Sequence, residues 1–162
     1  MTKKVWYAPN RFESYGEDEI KAVETCLRDG WLAGFGARTV KFEERVSELF
    51  GKKHGLFVNS GSSAILLGLC ALDLPKGSEV VTPACGFATT VAPLMQLGLK
   101  PVFCDVGINS YVPTVEDLKK VVTPDTKCLL IPNLIGNIPD WPAIREAFPD
   151  LILFEDSADT IT

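Results

Sequence analysis

Apolar residues recur at helical spacing near the start of the chain, after an acidic run at residues 17–19. They are Ile20, Val23, Leu27 and Trp31. Acidic side chains suit the positive end of a helix dipole, and glycine often ends a helix. The pattern therefore predicts a helix that ends near Asp29 and Gly30.

A second helix is expected to begin at Thr39, whose hydroxyl can cap it, and to stop at Gly51. Its apolar face consists of Val40, Phe42, Val46, Leu49 and Phe50. A glycine-rich loop at residues 30–36 lies between the two predicted helices. We therefore predict that residues 1–52 form an N-terminal helical segment.

From residue 53 onward, the pattern changes to alternating strands and helices. Short apolar runs of about the length of one buried strand occur at residues 55–59, 79–82, 101–105, 128–132 and 151–155. Helical segments separate them at residues 62–72, 88–97, 115–122 and 141–148. Strands that show little polar alternation imply a parallel sheet covered on both faces. Residues 53–162 are therefore predicted to form a three-layer α/β/α arrangement with a mostly parallel sheet.

The last predicted strand is followed by only a few residues, with no helix to cover it. An open parallel sheet of this kind would expose apolar surface and an unpaired edge. We expect that either more chain follows Thr162 or a partner covers this edge.

Composition and charge are those of an ordinary soluble globular domain. The chain has 162 residues, of which 46% are hydrophobic and 23% charged. Its net charge of -5, with acidic and basic residues interspersed, offers no basic surface to a nucleic acid. The longest apolar stretch falls short of the ~20 residues that span a membrane, and the N-terminus lacks the apolar segment of a signal peptide. We expect a cytoplasmic protein without nucleic-acid or membrane partners.

The cysteines and the histidine do not suggest a metal site or a disulfide framework. The five cysteines are scattered without Cys-x-x-Cys spacing, mostly in apolar runs. We expect them to be small buried hydrophobic residues in a reducing compartment. His54, the single histidine, provides almost nothing for a catalytic triad or a zinc site.

The first candidate for chemistry is the turn formed by Gly61, Ser62 and Ser63. Gly61 permits a tight turn between a strand and a helix. Free N–H groups and hydroxyls at Ser62 and Ser63 would then lie at the helix end where the dipole favours an anion, which makes the turn a candidate phosphate cup. For Gly-Ser-Ser alone, the commoner explanation is that Ser62 only caps the helix.

The second candidate is the segment of residues 82–90. It follows the second predicted strand, at the edge where open parallel sheets bind ligands. Phe87, after Gly86, could present its ring to a flat heteroaromatic cofactor. An isolated phenylalanine is more often a core residue.

The third candidate is the pair Glu155 and Asp156 at the end of the last apolar run. Two carboxylates there cost several kcal/mol to desolvate unless a positive group meets them. A protonated pyridine nitrogen would be such a group, and the carboxylate would then hold the ring as an electron sink. The alternative is that both acids cap the next turn.

Taken together and in order, these motifs resemble the DegT/DnrJ/EryC1/StrS family of sugar aminotransferases and their dehydratase relatives. The resemblance covers nearly all of the chain. It rests on residues 16–20, 30–32, 42–43, 59–64, 82–90, 101–105, 123–127, 134–137 and 155–156. It implies an aspartate aminotransferase-like fold, of which residues 53–162 would be the first part of the large, cofactor-binding domain, and a homodimer.

The resemblance also implies a site for pyridoxal 5'-phosphate or pyridoxamine 5'-phosphate. Ser62 and Ser63 would hold the phosphate, Phe87 would stack on the pyridine ring, and Asp156 would meet the ring nitrogen. The cofactor-binding residues implied in this way are Gly61, Ser62, Ser63, Phe87, Asp156 and Asp159.

Some positions favour one branch of the family. Residues 86–93, followed by Gly136 and Asn137, look more like nucleotide-sugar 3-dehydratases than aminotransferases, which tend to have glutamine at position 137. Asp159 favours the same branch. Residues 157–158 are serine and alanine where iron–sulfur dehydratases have cysteines, so no cluster is expected. Asn133 departs from the histidine of many relatives.

The residue that would perform the chemistry is missing from the matching motifs. In the aminotransferases a lysine forms the Schiff base, and in the 3-dehydratases a histidine takes its place as the base. None of the lysines follows the matching motif, and His54 belongs to the first predicted strand. We expect this residue beyond Thr162, which implies that the chain is truncated and inactive in isolation.

The resemblance implies one leading hypothesis and two alternatives. The leading one is dehydration at C3 of a nucleotide-linked 4-keto-6-deoxy sugar, in deoxysugar or lipopolysaccharide biosynthesis. The first alternative is transamination of such a sugar, and a lysine rather than a histidine after Thr162 would favour it. The second is that the chain is complete and serves as a non-catalytic binding or subunit protein.

Overall fold

A computed structural model describes residues 15–30, 32 and 34–160 of the chain. The chain divides between Phe57 and Val58 into two compact units, and each is considered by itself. The division lies close to the predicted boundary after residue 52, and the assignment of the two segments as domains stays a prediction. Trp31, the last of the first apolar set, lies outside the described residues.

The first unit contains two helices, α1 (Glu17–Asp29) and α2 (Ala37–Leu49). The helix predicted to end near Asp29 and Gly30 is confirmed. Glu19 Oε2 accepts a hydrogen bond from the Gly16 N–H at 2.7 Å, and Gly30 ends α1 with a φ of 72°. The acidic start and the glycine end therefore act as expected.

The predicted cap at Thr39 is wrong, because α2 already begins at Ala37. Gly36 has extended backbone, and its carbonyl accepts the first helical hydrogen bond from the Val40 N–H at 3.2 Å. The Thr39 hydroxyl lies inside the helix and donates to the Gly34 carbonyl at 3.4 Å. The Thr39 hydroxyl, predicted to cap the helix, thus donates instead to a backbone carbonyl of the glycine-rich loop.

The second unit alternates helices and strands as predicted. In chain order these are α3 (Gly61–Leu72), β1 (Glu79–Pro83), α4 (Ala88–Gln96), β2 (Lys100–Cys104), α5 (Val115–Lys119), β3 (Thr126–Pro132), α6 (Trp141–Ala147) and β4 (Ile152–Asp156). The strands form one parallel sheet in the order β2-β1-β3-β4. Their carboxyl ends therefore lie at one edge. Nowhere in the described ranges is a helix long and apolar enough to cross a membrane.

Two apolar clusters cover the two faces of the sheet, as a buried parallel sheet requires. Alternate residues of β3 face opposite sides: Cys128 and Leu130 belong to one cluster, and Leu129 and Ile131 to the other. The first cluster includes residues of α3 and α4, and the second includes residues of α5 and α6. The three-layer prediction is confirmed.

Residues 55–59, predicted as the first strand, do not form one. A strand needs a neighbour for its backbone donors and acceptors, and no described strand pairs with this segment. The Phe57 N–H instead donates to Glu43 Oε1 at 2.7 Å, and the rings of Phe57 and Phe42 meet edge-on at 5.1 Å. An apolar run of the right length was therefore insufficient evidence for a strand.

The expectation that the cysteines are buried is correct only for Cys104 and Cys128. Burial raises the pKa of Cys104 to about 11 and that of Cys128 to about 12, so neither thiol is ionised at neutral pH. Cys70 and Cys85 are exposed and Cys26 is half-buried, because an apolar run on a helix or loop also has a solvent side. Within residues 15–30, 32 and 34–160, no group of three His, Cys, Asp or Glu side chains could hold a metal ion.

Candidate functional site

The start of α3 is capped by Ser60. The Ser63 N–H donates to Ser60 Oγ at 3.2 Å, and the Ser60 hydroxyl donates to Ser63 Oγ at 3.1 Å. The alternative that Ser62 is the cap is therefore wrong. The expectation of a free N–H at Ser63 is also wrong, because the extended backbone of Ser60 brings its side chain back over the first turn.

Ser62 is consequently available for another contact. Its hydroxyl donates to Thr89 Oγ1, in the first turn of α4, at 2.9 Å. Gly61, beside it, lies near the turn after β4, where an added Cβ would be in ordinary contact with the Ala158 Cβ at 3.9 Å. The start of α3 therefore adjoins both the start of α4 and the end of β4.

Phe87 immediately precedes α4 and is 69% exposed. The alternative that it is a core residue is wrong. Phe87 is one of the residues that line a cavity of about 260 Å³, together with Gly86, Thr90, Phe103 and Pro132. This cavity lies at the carboxyl ends of β1, β2 and β3.

Asp156 is the last residue of β4 and only 9% exposed. Its Oδ2 accepts a hydrogen bond from the Thr90 hydroxyl at 2.9 Å, and its Oδ1 accepts one from the Ala158 N–H at 3.2 Å. In the described part of the chain, no lysine, arginine or histidine forms an ion pair with this carboxylate. Among the described residues, the donors that offset its burial are neutral.

Glu155 points to the other face of the sheet, as the two-residue period of a strand requires. Its Oε1 accepts hydrogen bonds from Asn133 Nδ2 at 2.6 Å and from the Ser157 hydroxyl at 2.8 Å. The alternative that both acids cap the next turn accounts for their hydrogen bonds with Ser157 and Ala158. It does not account for the hydrogen bonds that Asp156 accepts from Thr90 and Glu155 accepts from Asn133. The two carboxylates therefore have separate surroundings.

Asp159 makes a different contact from the other candidate residues. Its Oδ2 accepts a hydrogen bond from the Ile135 N–H at 3.0 Å. This bond holds the turn Leu134–Gly136, which follows β3. A role for Asp159 at the cofactor stays a prediction.

Hydrogen bonds join three chain segments at the carboxyl edge of the sheet. Ser62 binds Thr89, and Thr90 binds Asp156, so that α3, α4 and β4 meet through the first turn of α4. Phe87 lies at the head of that same turn. This is the edge at which open parallel sheets bind their ligands.

The model of the DegT/DnrJ/EryC1/StrS aminotransferase family matches residues 13–162. The chain belongs to this family. It is 34% identical over 161 residues to the GDP-4-keto-6-deoxy-D-mannose 3-dehydratase of Escherichia coli O55:H7 (strain CB9615 / EPEC), a match that covers 94% of the chain and 41% of that protein. It is 33% identical over 147 residues to the dTDP-4-dehydro-2,3,6-trideoxy-D-glucose 4-aminotransferase of Saccharopolyspora spinosa, which covers 88% of the chain and 38% of that protein.

Solved structures of a 3-dehydratase and of aminotransferases have the same fold. That of the E. coli GDP-4-keto-6-deoxy-D-mannose-3-dehydratase with bound hydrated PLP matches with a TM-score of 0.83 and 35% identity, over 90% of this chain and 39% of that one. The expected aspartate aminotransferase-like fold is confirmed. The chain spans about two fifths of the length of these relatives.

Three residues of this family member contribute to the site without having been assigned a role from the sequence. Thr89 and Thr90 lie in the recognised segment of residues 82–90, and two adjacent hydroxyls in a first helical turn were the available signal. Asn133 is completely buried between the apolar strand β3 and Leu134. A polar residue directly after a buried strand was the signal there.

Proposed function

We propose that this chain supplies the phosphate- and ring-binding part of a pyridoxal 5'-phosphate or pyridoxamine 5'-phosphate site. The enzyme would remove the C3 hydroxyl of a nucleotide-linked 4-keto-6-deoxy sugar, in deoxysugar or lipopolysaccharide biosynthesis. The observation that carries this proposal is the pair of hydrogen bonds Ser62–Thr89 and Thr90–Asp156, which link the three predicted cofactor contacts. The dehydratase among the relatives supports the choice of reaction.

The start of α3 fits a phosphate group. The first turn of this 12-residue helix has no acidic side chain, and Gly61 has no Cβ to obstruct an approaching anion. The positive end of the helix dipole and the hydroxyls of Ser62 and Ser63 would face the phosphate oxygens. A serine hydroxyl that already donates to another residue can still accept or share a hydrogen bond.

The surroundings of Phe87 and Asp156 fit a protonated pyridine ring. Phe87 is exposed beside the cavity at the carboxyl edge, and the described donors to the buried Asp156 carboxylate are both neutral. A positive ring nitrogen would favour this carboxylate, which in return would hold the proton on the nitrogen. The bound cofactor would supply an electron-accepting ring, and the chain would hold and orient it.

The second candidate function is transamination of such a sugar, favoured by the match to the S. spinosa 4-aminotransferase. Asn137 and Asp159 favour dehydration. In the described residues, neither Ser62, Phe87 nor Asp156 forms a hydrogen bond or ion pair with a lysine or a histidine. We therefore propose that the base which distinguishes the two reactions is not among the residues that the structure describes.

We also propose that the protein acts in the cytoplasm as a homodimer. The apolar face of α1 supports the second point, because Ile20, Val23 and Leu27 are 44%, 60% and 60% exposed. Exposed apolar residues of this number on one helix are typical of a surface that becomes covered. Light scattering coupled to size-exclusion chromatography will test it, and a monomer mass for an active enzyme would contradict it.

Cofactor binding can be tested on this chain directly. We expect both cofactors to bind, pyridoxal phosphate with a change in visible and pyridoxamine phosphate with a change in near-ultraviolet absorbance, and Asp156→Ala to weaken binding by about 10- to 100-fold through loss of a charged contact. Cys85→Ser is the matched control, since Cys85 is an exposed residue of the same loop as Phe87. Failure of both cofactors to bind would favour the non-catalytic alternative. A product locked onto the chain by borohydride would reveal a Schiff-base lysine within it, and a lysine among the described residues would contradict the proposed location of the base.

A further inference from the structure

We propose that Asn133 is a positioning residue that fixes the end of β4 and thereby the direction of the Asp156 carboxylate. The use of that carboxylate by a cofactor rests on the proposed function, whereas the way in which Asn133 holds it does not. Asn133 would touch neither cofactor nor substrate and would act entirely through its neighbours.

The backbone of Asn133 extends the pairing of β3 and β4 by one residue. Its N–H donates to the Asp156 carbonyl at 2.9 Å. Its carbonyl accepts a hydrogen bond from the Thr160 hydroxyl at 3.1 Å. The turn after β4 is therefore attached to this residue at both ends.

The side chain of Asn133 bridges two other elements in one orientation only. Its Nδ2 donates to Glu155 Oε1 at 2.6 Å, and its Oδ1 accepts from the Trp141 indole N–H at 3.3 Å. A flipped amide would place donor against donor at Trp141 and acceptor against acceptor at Glu155. Asn133 itself is completely buried, so water cannot reach its amide to replace the lost hydrogen bonds.

The bridge acts on Asp156 because Glu155 precedes it in the strand. Asn133 holds the Glu155 side chain on one face and the Asp156 carbonyl in the plane of the sheet. The Asp156 carboxylate then emerges on the opposite face, where Thr90 and the Ala158 N–H meet it. If the backbone of Glu155 and Asp156 moved, the Asp156 carboxylate would lose its hydrogen bonds from Thr90 and the Ala158 N–H.

The main variant is Asn133→Asp, which sets a carboxylate against Glu155 while keeping the acceptor for Trp141. Combining it with Glu155→Gln should restore the bridge with donor and acceptor exchanged, which a general loss of packing would not allow. Ser157→Ala is the matched control. It removes the other hydrogen bond to Glu155 Oε1 but leaves β3 and β4 linked.

The first readout needs no cofactor. Hydrogen exchange of the Ala158 N–H reports on its hydrogen bond to the Asp156 carboxylate. The reference is the Asp117 N–H in α5, which donates to Oγ1 of the capping residue Thr114. We expect Asn133→Asp to speed exchange at Ala158 by about 10-fold or more, the loss of roughly one hydrogen bond, with the reference unchanged. The double variant and Ser157→Ala should stay close to the wild type.

The second readout is the ratio of affinities for pyridoxal phosphate and its 1-deaza analogue, which lacks the ring nitrogen. We expect the wild type to prefer pyridoxal phosphate, Asn133→Asp to lose most of that preference, and the double variant to regain it. A merely structural role would weaken both ligands equally. A wild type without this preference, together with the expected exchange pattern, would overturn the proposed cofactor contact and leave the positioning role supported.

The proposal is overturned if Asn133→Asp exchanges at Ala158 like the wild type, or if the double variant fails to recover. It is equally overturned if Ser157→Ala has the same effect as Asn133→Asp. Should Asn133→Asp not fold, Trp141→Phe keeps an aromatic ring in the second apolar cluster, removes the indole donor to Asn133 and is expected to raise Ala158 exchange by a few-fold. Unchanged exchange in that variant would contradict the proposal.

Discussion

The hydroxyl of Thr90 donates a hydrogen bond to Oδ2 of Asp156 at 2.9 Å, and both side chains are buried. The two residues are 66 positions apart in the sequence. This contact ties the helix headed by Phe87 to the end of β4. It also accounts for the presence of a carboxylate in an otherwise apolar part of the molecule.

We expect Thr90→Val to lower the free energy of unfolding by about 1.5–3 kcal/mol, because a buried carboxylate loses one of its two described donors while the side-chain shape is preserved. Thr90→Ser is the control, since it keeps the hydroxyl. Urea denaturation of the three proteins will measure the difference. Equal midpoints for Thr90→Val and the wild type would show that the hydrogen bond contributes nothing to stability.

Gly68 allows α3 to approach Phe154 of β4. An added Cβ would lie 2.6 Å from Cζ of Phe154, whose ring packs against the cluster around Leu69. We expect Gly68→Ala to lower the free energy of unfolding by about 1–2 kcal/mol, since the overpacking outweighs the gain in helix propensity.

The partner variant for Gly68→Ala is Phe154→Leu, which makes room at the same point. The effects of the two substitutions should be less than additive by thermal or urea denaturation, because the smaller side chain accommodates the new methyl group. Strict additivity would place the cause of any destabilisation elsewhere.

Asp117 completes the capping box that Thr114 begins at the start of α5, and its neighbours favour its charged form. Hydrogen bonds from Lys120, and then from the hydroxyl and the N–H of Thr114, lower the pKa of Asp117 to about 2. A folded pKa below the unfolded value of ~3.9 means that the carboxylate stabilises the fold fully above pH ~4 and loses this effect as the pH falls toward 2.

Asp117→Asn should therefore destabilise the protein most above pH ~4, and the difference from the wild type should shrink as the pH falls toward ~2. Urea titrations across this pH range will measure it. Glu116→Gln is the control, because it removes the same charge from the same turn. In the described part of the structure, the Glu116 carboxylate forms no hydrogen bond. A pH-independent effect of Asp117→Asn would contradict the assigned cause.

Most of the fold could be predicted because both faces of a parallel sheet are buried. The runs that became β1 to β4 are apolar for this reason, and helices between parallel strands are a geometric necessity. Residues 55–59 have the same apolar character but no paired neighbour in the described chain. The choice of Thr39 as a cap failed because Gly36 supplies the first carbonyl and Gly34 accepts the hydroxyl.

The candidate site could be predicted only at the level of its motifs. The sequence indicates that Ser62, Phe87 and Asp156 follow or precede elements of one sheet, and parallel strands bring such residues to one edge. The contacts of Thr89 with Ser62 and of Asn133 with Glu155 depend on side-chain directions across distant elements. No local periodicity encodes these directions, so a structure was needed to show them.

Ile135 stores backbone strain next to the candidate site. It has a φ of 54°, in the left-handed region that β-branched residues avoid, and its side chain is 73% exposed. Strain of this kind persists only where neighbouring contacts impose it. Here the Asp159 carboxylate accepts a hydrogen bond from the Ile135 N–H, and Gly136 continues the turn with a φ of 81°.

We expect Ile135→Asn to raise the free energy of unfolding by about 1 kcal/mol, because asparagine tolerates the left-handed region and little apolar burial is lost at so exposed a position. Ile135→Val keeps the branched Cβ and should leave stability unchanged, so the two variants separate backbone strain from side-chain size. Urea denaturation of both will measure this. A fall in stability for Ile135→Asn would mean that the side chain, and not the turn held by Asp159, determines this conformation.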